Sequence, residues 1–369
     1  MENNPIRILH VVRYLEQGGI QNFLMNLYRN IDTKKIQFDF LVSGEGFFDG
    51  EIKSRGGKIY TIPYITDLGV KKYQTELEKF FKEHLEYKIV HCHLNQLSGV
   101  VLEVAKKMNI LCRIAHAHTT KNTNNILVKI YKSYLQNKIN KNATHLFACS
   151  EEAAKCMFRK DNKRAVIINN GIQIEKFIFS QEKRNYIRKQ LNIEDNTMVI
   201  GHVGRFSKVK NQNFLLDIFY EYQKINQNSV LILVGEGQTR EKIIEKIKML
   251  RLENKVILVG SQKEIANYYS CFDSFVFPSL FEGLGIVLIE AQVSGLKCFA
   301  SDKVIPKSTK ISENITYIDI DLKPEDWAKQ IPLDNFYQET RNNIKIDKEI
   351  YDIKKIVKKL EHFYLENCN

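Results

Sequence analysis

The stretch FPSLFEGLGIVLIEAQVSG (277–295) holds two acids, Glu282 and Glu290, with seven residues between them. Glu282 stands between an aromatic and a glycine, and Glu290 ends the apolar run 286–289. A carboxylate among apolar side chains is costly to bury unless something binds it. Were the whole stretch helical, eight residues would rise about 12 Å, too far for one close acid/base dyad. The spacing suits two points on one extended ligand. Glu290 could take a diol such as a ribose, and Glu282 could reach hydroxyls further along. Gly283 and Gly285 leave bare amides at a helix start, a setting for an anion or a sugar oxygen. The bland reading of Glu282 is an acid favoured by the helix macrodipole; the apolar neighbours of Glu290 leave less room for one.

Two cations stand in GRFSKVKN (204–211), where Arg205 and Lys210 follow a strand and precede a helix expected near Asn213. A guanidinium that binds bidentately, an ammonium that acts as a point charge and a helix N-terminus together fit a diphosphate. The alternative is a pair of solvated surface cations, and Lys208 reads as solvated. Near the N-terminus, Gly18 and Gly19 in QGGIQNF open another helix and expose amides to an anion. A plain tight turn explains them equally, since neither the dinucleotide-binding glycine pattern nor a P-loop is present. HCH (His91, His93) and HAH (His116, His118) end two strand-like runs, each pair on one face. They could line a cleft as neutral hydrogen-bonding groups, hold a metal, or simply be packed, as is expected of His91 and His116. No cluster of Asp or Cys accompanies them at ligand spacing, so no metal is expected. Cations, helix-start amides and hydroxyl-binding acids together describe a site for a nucleotide-diphosphate sugar.

These residues need strands to carry them. Apolar runs at 7–12, 38–42, 58–63, 88–93, 112–118, 145–150 and 165–171 alternate with helical periodicity, and the pattern repeats at 197–206, 229–237, 255–261, 274–279, 297–302 and 315–320. Strand–helix alternation predicts parallel sheets with helices on both faces. The expected fold class is α/β: two doubly wound, Rossmann-like domains facing across a cleft, with sites at the carboxyl ends of strands. Residues 1–174 form the expected acceptor-binding domain and 175–345 the nucleotide-sugar-binding domain. A C-terminal amphipathic helix, 346–369, either caps the second domain or crosses back to the first.

The chain has 369 residues, long for one core, and 44% are hydrophobic. No basic segment followed by a long apolar stretch opens it, and no run approaches the roughly 18 apolar residues of a membrane span. A cytoplasmic protein is expected, with a peripheral place at the inner membrane face left open. The seven cysteines form no Cys-x-x-Cys pair and read as reduced, packed thiols. The net charge of +12 points to anionic partners. Residues 104–150 contain eight Lys or Arg and no acid. Within them, around 124–142, Ile126, Leu127, Ile130, Tyr131, Tyr134 and Leu135 share a face bordered by lysines. A helix lying on an anionic membrane fits that pattern, as does an ordinary basic surface helix. No nucleic-acid motif accompanies the charge, and no nucleic-acid partner is expected.

GRFSKVKN, VGEG, FPSLFEGLGIVLIEAQVSG, the early QGG and VIINNGIQIEKF resemble the retaining glycosyltransferases of family 4, which have the GT-B fold, and most closely their bacterial capsule and exopolysaccharide members. The resemblance covers nearly the whole chain. It implies a metal-independent enzyme without cofactor, which moves a hexosyl or N-acetylhexosaminyl group from a nucleotide sugar, UDP rather than GDP, to a glycan or polyprenyl-diphosphate-linked acceptor. It implies Arg205 and Lys210 at the diphosphate and Glu282 beside the donor sugar, with Gly283, Leu284 and Gly285 near sugar and phosphate. Glu290 falls at the ribose, Gly19 near the donor phosphate, and Gly235 and Ser261 on the donor side. His118 falls near the reacting sugar, and His93, His118 and Thr119 on the acceptor side. Relatives often have proline where Gly285 stands, so a looser loop is expected here. A nucleotide-sugar epimerase of the same fold is the alternative.

Overall fold

The computed structural model describes residues 4–16, 18–118, 125–333, 341 and 349–368, the side chains of 127–129 excepted. Thr119 and the side chain of Leu127 therefore lie outside the described residues. The chain divides into two compact units, 1–172 with 350–369, and 173–349.

The first unit carries seven strands: β1 (Ile6–Val11), β2 (Ile36–Val42), β3 (Ile59–Thr61), β4 (Ile89–Cys92), β5 (Cys112–Ala117), β6 (His145–Ala148) and β7 (Ala165–Ile167). They form one parallel sheet ordered β3-β2-β1-β4-β5-β6-β7. β2 and β4 are buried at every position, as a sheet covered on both faces demands. One face packs Leu9, Val11, Val90, Cys92 and Ala115 against the helices Val70–Glu83 and Ser98–Lys107. The other packs Ile8, Phe38, Phe40 and Ile114 against the helix Gly19–Asn30 and the C-terminal helix Ile353–Glu366. That last helix starts beside Ile172, where the chain segments at 172 and 352 form a short bridge.

The second unit carries β8 (Met198–Val203), β9 (Ser229–Val234), β10 (Val256–Gly260), β11 (Ser274–Phe277), β12 (Lys297–Ser301) and β13 (Ile315–Ile318). This sheet is also parallel, ordered β10-β9-β8-β11-β12-β13. Each of the thirteen expected strands is present, most of them shortened by one or two residues at the ends. Both sheets reverse their strand order once, at β1/β4 and at β8/β11. Such switch points open a crevice at the strands' carboxyl ends, where open α/β sheets bind ligands.

Candidate functional site

At the β8/β11 switch point two loops meet. The loop after β8 runs through Arg205 and Lys210 into the helix Gln212–Ile225, one residue earlier than the sequence suggested, with Asn211 left-handed at its start. The loop after β11 carries Glu282 into the helix Ile286–Val293. Main chain joins them, the Leu280 amide donating to Val209 at 2.8 Å and the Asn211 side-chain amide to Pro278 at 3.1 Å. Side chains join them more tightly. Lys210 Nζ donates to Glu282 Oε1 at 2.7 Å and stands 4.8 Å from the centre of the Phe277 ring. Lys210 and Glu282 thus hold each other, a pairing that 72 residues of separation hid from the sequence.

The first loop is fixed from below. Gln212 Nε2 donates to the carbonyl of Arg205 at 3.1 Å and contacts His202 Nε2 at 3.3 Å, and His202 Nδ1 donates to the carbonyl of Val276 at 3.0 Å. Burial holds the His202 imidazole neutral, its pKa lowered to about 4. Gly235, after β9, has φ +139°, and a Cβ there would run into the carbonyl oxygen of Gly204. The VGEG glycine therefore lets two backbones touch behind Arg205. Ser261, exposed, follows β10.

Glu290 lies inside the second helix and is only 7% exposed. Desolvation raises its pKa to about 7, against a hydrogen bond from the Tyr269 hydroxyl to Oε2 at 2.7 Å that lowers it. Tyr269 belongs to the helix Ile265–Cys271. The buried Arg341 guanidinium braces that segment, donating to the carbonyls of Tyr269, Phe272 and Ser294 at 2.8–2.9 Å. Neither Tyr269 nor Arg341 was legible as part of the site, since their roles rest on contacts distant in sequence. The helix begins only at Ile286, so the stretch between the acids is part turn, and the 12 Å of a continuous helix does not apply. Gly285 caps it at φ +75°, ψ +50°. Proline, locked near φ −65°, cannot adopt that conformation, so Gly285 takes a backbone that proline at this position would exclude.

In the first unit, Gly19 opens the helix Gly19–Asn30, with no side-chain cap, no acid in its first turn and open space where its Cβ would be. At the β1/β4 switch point and along β5 lie five imidazoles: His10, His91, His93, His116 and His118. His91 and His116 are packed, as expected, and hydrogen-bonded to each other at 3.0 Å. His93 corrects the expectation of a cleft-lining group. It is 2% exposed, with one ring nitrogen on His10 and the other on His118. His118, at the end of β5, is half-buried. Nitrogens of His10, His91 and His93, and of His93, His116 and His118, converge within 4.8 Å, a geometry from which three-nitrogen metal ligation could be built. The nearest nitrogens are, however, already bonded to one another.

The helix Ile126–Asn142 departs from the single broad face read in the sequence. Ile126, Ile130, Tyr131 and Tyr134 are exposed, whereas Leu135 is buried together with Ile139. Leu135 faces inward because Gly99 lets the two helices touch there, its missing Cβ making room for the Leu135 carbonyl. Among the described residues no helix is long and apolar enough to cross a membrane. Among the described residues the seven cysteines form no disulfide.

Residues 17–176 match the family model for Glycosyltransferase Family 4, and residues 183–333 the model for Glycosyl transferases group 1. EpsF of Bacillus subtilis (strain 168), itself known only by assignment as a glycosyltransferase, is 31% identical over 338 residues, 90% of this chain and 88% of its own. The chain is a family 4 glycosyltransferase. CapH of Staphylococcus aureus, a capsular polysaccharide biosynthesis glycosyltransferase, is 26% identical over 376 residues, covering 98% of this chain and 99% of its own. The crystal structure of Anabaena HepE in complex with UDP superposes with a TM-score of 0.81 at 18% identity, over 98% of this chain and all of that one. The family 4 glycosyltransferase thus has the GT-B fold, with two Rossmann-like domains, and is related to enzymes of capsule and exopolysaccharide biosynthesis. The motif resemblance is borne out for family and fold, and the epimerase alternative is set aside.

Proposed function

We propose that this glycosyltransferase moves a hexosyl or N-acetylhexosaminyl group from a UDP-sugar to a glycan or polyprenyl-diphosphate-linked acceptor of a surface polysaccharide, with retention at the anomeric carbon. The observation that carries the donor half is the Lys210–Glu282 pair at the β8/β11 switch point, with Glu290 buried in the next helix. In this reading Arg205 and Lys210 bind the diphosphate, Glu282 and the 283–285 amides hold the sugar, and Glu290 takes the ribose hydroxyls. The amides at Gly19 contribute to the phosphate, and Gly235 and Ser261 shape the nucleotide side. HepE crystallised with UDP, and also with UDP-glucose, supports the choice of nucleotide; CapH supports the choice of pathway class.

The chemistry asked of these groups is charge stabilisation. As the acceptor oxygen bonds to the anomeric carbon, the bond from that carbon to the diphosphate oxygen breaks, and the acceptor proton passes to the leaving phosphate. Arg205, Lys210 and the helix amides stabilise the developing negative charge. A front-face displacement of this kind requires no carboxylate nucleophile. His118 contacts the sugar being transferred, and Thr119 lies next to it in the chain.

The acceptor half leans on the helix Ile126–Asn142, whose exposed Ile126, Ile130, Tyr131 and Tyr134 sit among lysines. We read that face as a peripheral contact with an anionic membrane. A thermal-shift series across UDP- and GDP-sugars tests the donor, because a ligand that binds only the folded state raises the melting temperature. UDP-sugars should stabilise the wild type and not Lys210→Ala. Preference for GDP, or no nucleotide effect, would refute the reading.

A further inference from the structure

The five histidines of the first unit form two chains rather than a pool. One runs His118 Nε2···Nδ1 His93 at 2.8 Å and His93 Nε2···Nδ1 His10 at 3.1 Å. The other runs His116 Nδ1···Nε2 His91 at 3.0 Å and His91 Nδ1···Tyr364 hydroxyl at 2.7 Å. Among the described residues three ring nitrogens are left over, all buried and without a hydrogen-bond partner: His10 Nε2, His116 Nε2 and His118 Nδ1. Burial keeps the imidazoles neutral, with His10 and His118 lowered to about 3 and His91, His93 and His116 also held well below the ordinary imidazole value.

A neutral imidazole has one N–H and one bare nitrogen. Three such rings joined by two hydrogen bonds have only two self-consistent states. Either every ring carries its proton on Nε2, or every ring carries it on Nδ1. Any mixture sets two N–H groups, or two lone pairs, against each other at about 3 Å, without water to relieve them. The tautomer of His118 is therefore tied to that of His10, two rings away.

The inner end selects the state. His10 sits among aromatic rings, with Phe38 at 4.2 Å and tilted, Phe40 at 5.6 Å and Tyr364 edge-on at 6.5 Å. An N–H directed at π-density is favourable, and a lone pair there is not. The second chain agrees. A Tyr364 hydroxyl that donates to His91 leaves Nε2–H on both His91 and His116, and His116 meets the Phe23 ring edge-to-face at 5.4 Å. The inner ends have no partner to accept a proton onward, so the chains hold protons rather than conduct them.

We propose that His93 and His10 are positioning residues that lock His118 in the Nε2–H tautomer, leaving Nδ1 as a bare acceptor for a sugar hydroxyl. This rests on the reading that His118 contacts the transferred sugar. It also accounts for the converging nitrogens without a metal. His93 cannot ligate while both its nitrogens are hydrogen-bonded, and among the described residues no carboxylate is bonded to any of these rings to offset a divalent charge.

The test is a long-range ¹H–¹⁵N correlation spectrum of the full chain labelled at histidine. His10, His93 and His118 should all report Nε2–H in the wild type. Nδ1–H on His118, or different tautomers on His93 and His118, would overturn the proposal without any variant. So would loss of these signals on adding stoichiometric Co²⁺, which would make the cluster a metal site. His10→Phe keeps a ring but removes the acceptor. It should give mixed His118 tautomers and lower kcat about five- to tenfold with UDP affinity unchanged. His10→Asn, which returns an acceptor at the Nδ1 position, should restore both. A His118 tautomer untouched in His10→Phe would overturn the lock. Full activity in His118→Ala would instead sink the reading of His118 as a sugar contact, while the spectrum still judged the lock.

Discussion

The two switch points share a scaffold and differ in what they carry. Both follow from a parallel sheet whose order reverses once, at β1/β4 and at β8/β11. The second is loaded with full charges: Lys210 against Glu282, and Glu290 beside the Tyr269 hydroxyl. The first is loaded with neutral imidazoles bonded in series. Charge at a crevice binds an anion and stabilises one as it forms; neutral rings exchange hydrogen bonds with uncharged hydroxyls. The proposed division of labour between nucleotide and sugar follows from that difference.

The sharpest way to break the comparison is to remove charge from the second unit. Lys210→Ala should lower turnover by roughly 10²–10³-fold and abolish the UDP thermal shift; a small effect would mean that the cation is structural. Next in size is Gly285. Its φ of +75° predicts that Gly285→Ala costs about 1–2 kcal/mol. Gly285→Pro should cost more and lower donor affinity, because proline cannot take that φ. Chemical denaturation measures the first and UDP titration the second.

Glu290 gives a smaller effect with a definite sign. Its folded pKa, about 7, lies above the ordinary carboxyl value because of burial. The native state therefore holds a proton that the unfolded chain releases near pH 4.5. The stability this group lends is complete below that pH and is lost as pH rises through 7. Glu290→Gln should be more thermostable than the wild type at pH 8 and no more so at pH 4. Donor affinity in the wild type should rise across pH 6–8, as the carboxylate that accepts ribose hydroxyls forms. Glu290→Ala should weaken binding more than Glu290→Gln. Tyr269→Phe, by removing the bond that stabilises the charged form, should move the rise to higher pH.

The smallest effect on chemistry belongs to the helix Ile126–Asn142. Ile130→Glu with Tyr134→Glu should abolish co-sedimentation with anionic vesicles and leave the UDP thermal shift unchanged. Retained sedimentation would return this helix to an ordinary basic surface.

Local pattern exposed much of this molecule. The strands were legible because parallel strands buried on both faces write apolar runs flanked by helical periodicity. Arg205, Lys210 and Glu282 stood out in glycine-containing loops after strands, and Glu290 as an acid at the end of an apolar run. What escaped was pairing across distance. Lys210 meets Glu282, Tyr269 meets Glu290, and His10 completes the chain from His118, yet each partner lies on a different strand–helix repeat. His10 gave only a faint signal, a polar residue in an otherwise apolar strand, on the strand beside that of His91. Leu135 escaped for the opposite reason, since periodicity names a face and only packing against Gly99 says which side is inward.

The backbone contact between Gly235 and Gly204 restricts how this enzyme can diversify. A hydrogen atom is the largest substituent position 235 admits while the Gly204 carbonyl keeps its place. Selection for a new donor therefore has no variation to work with there. Altered preference has to be written where side chains face open space, as at Ser261 after β10, or in the turn from 282 to 285.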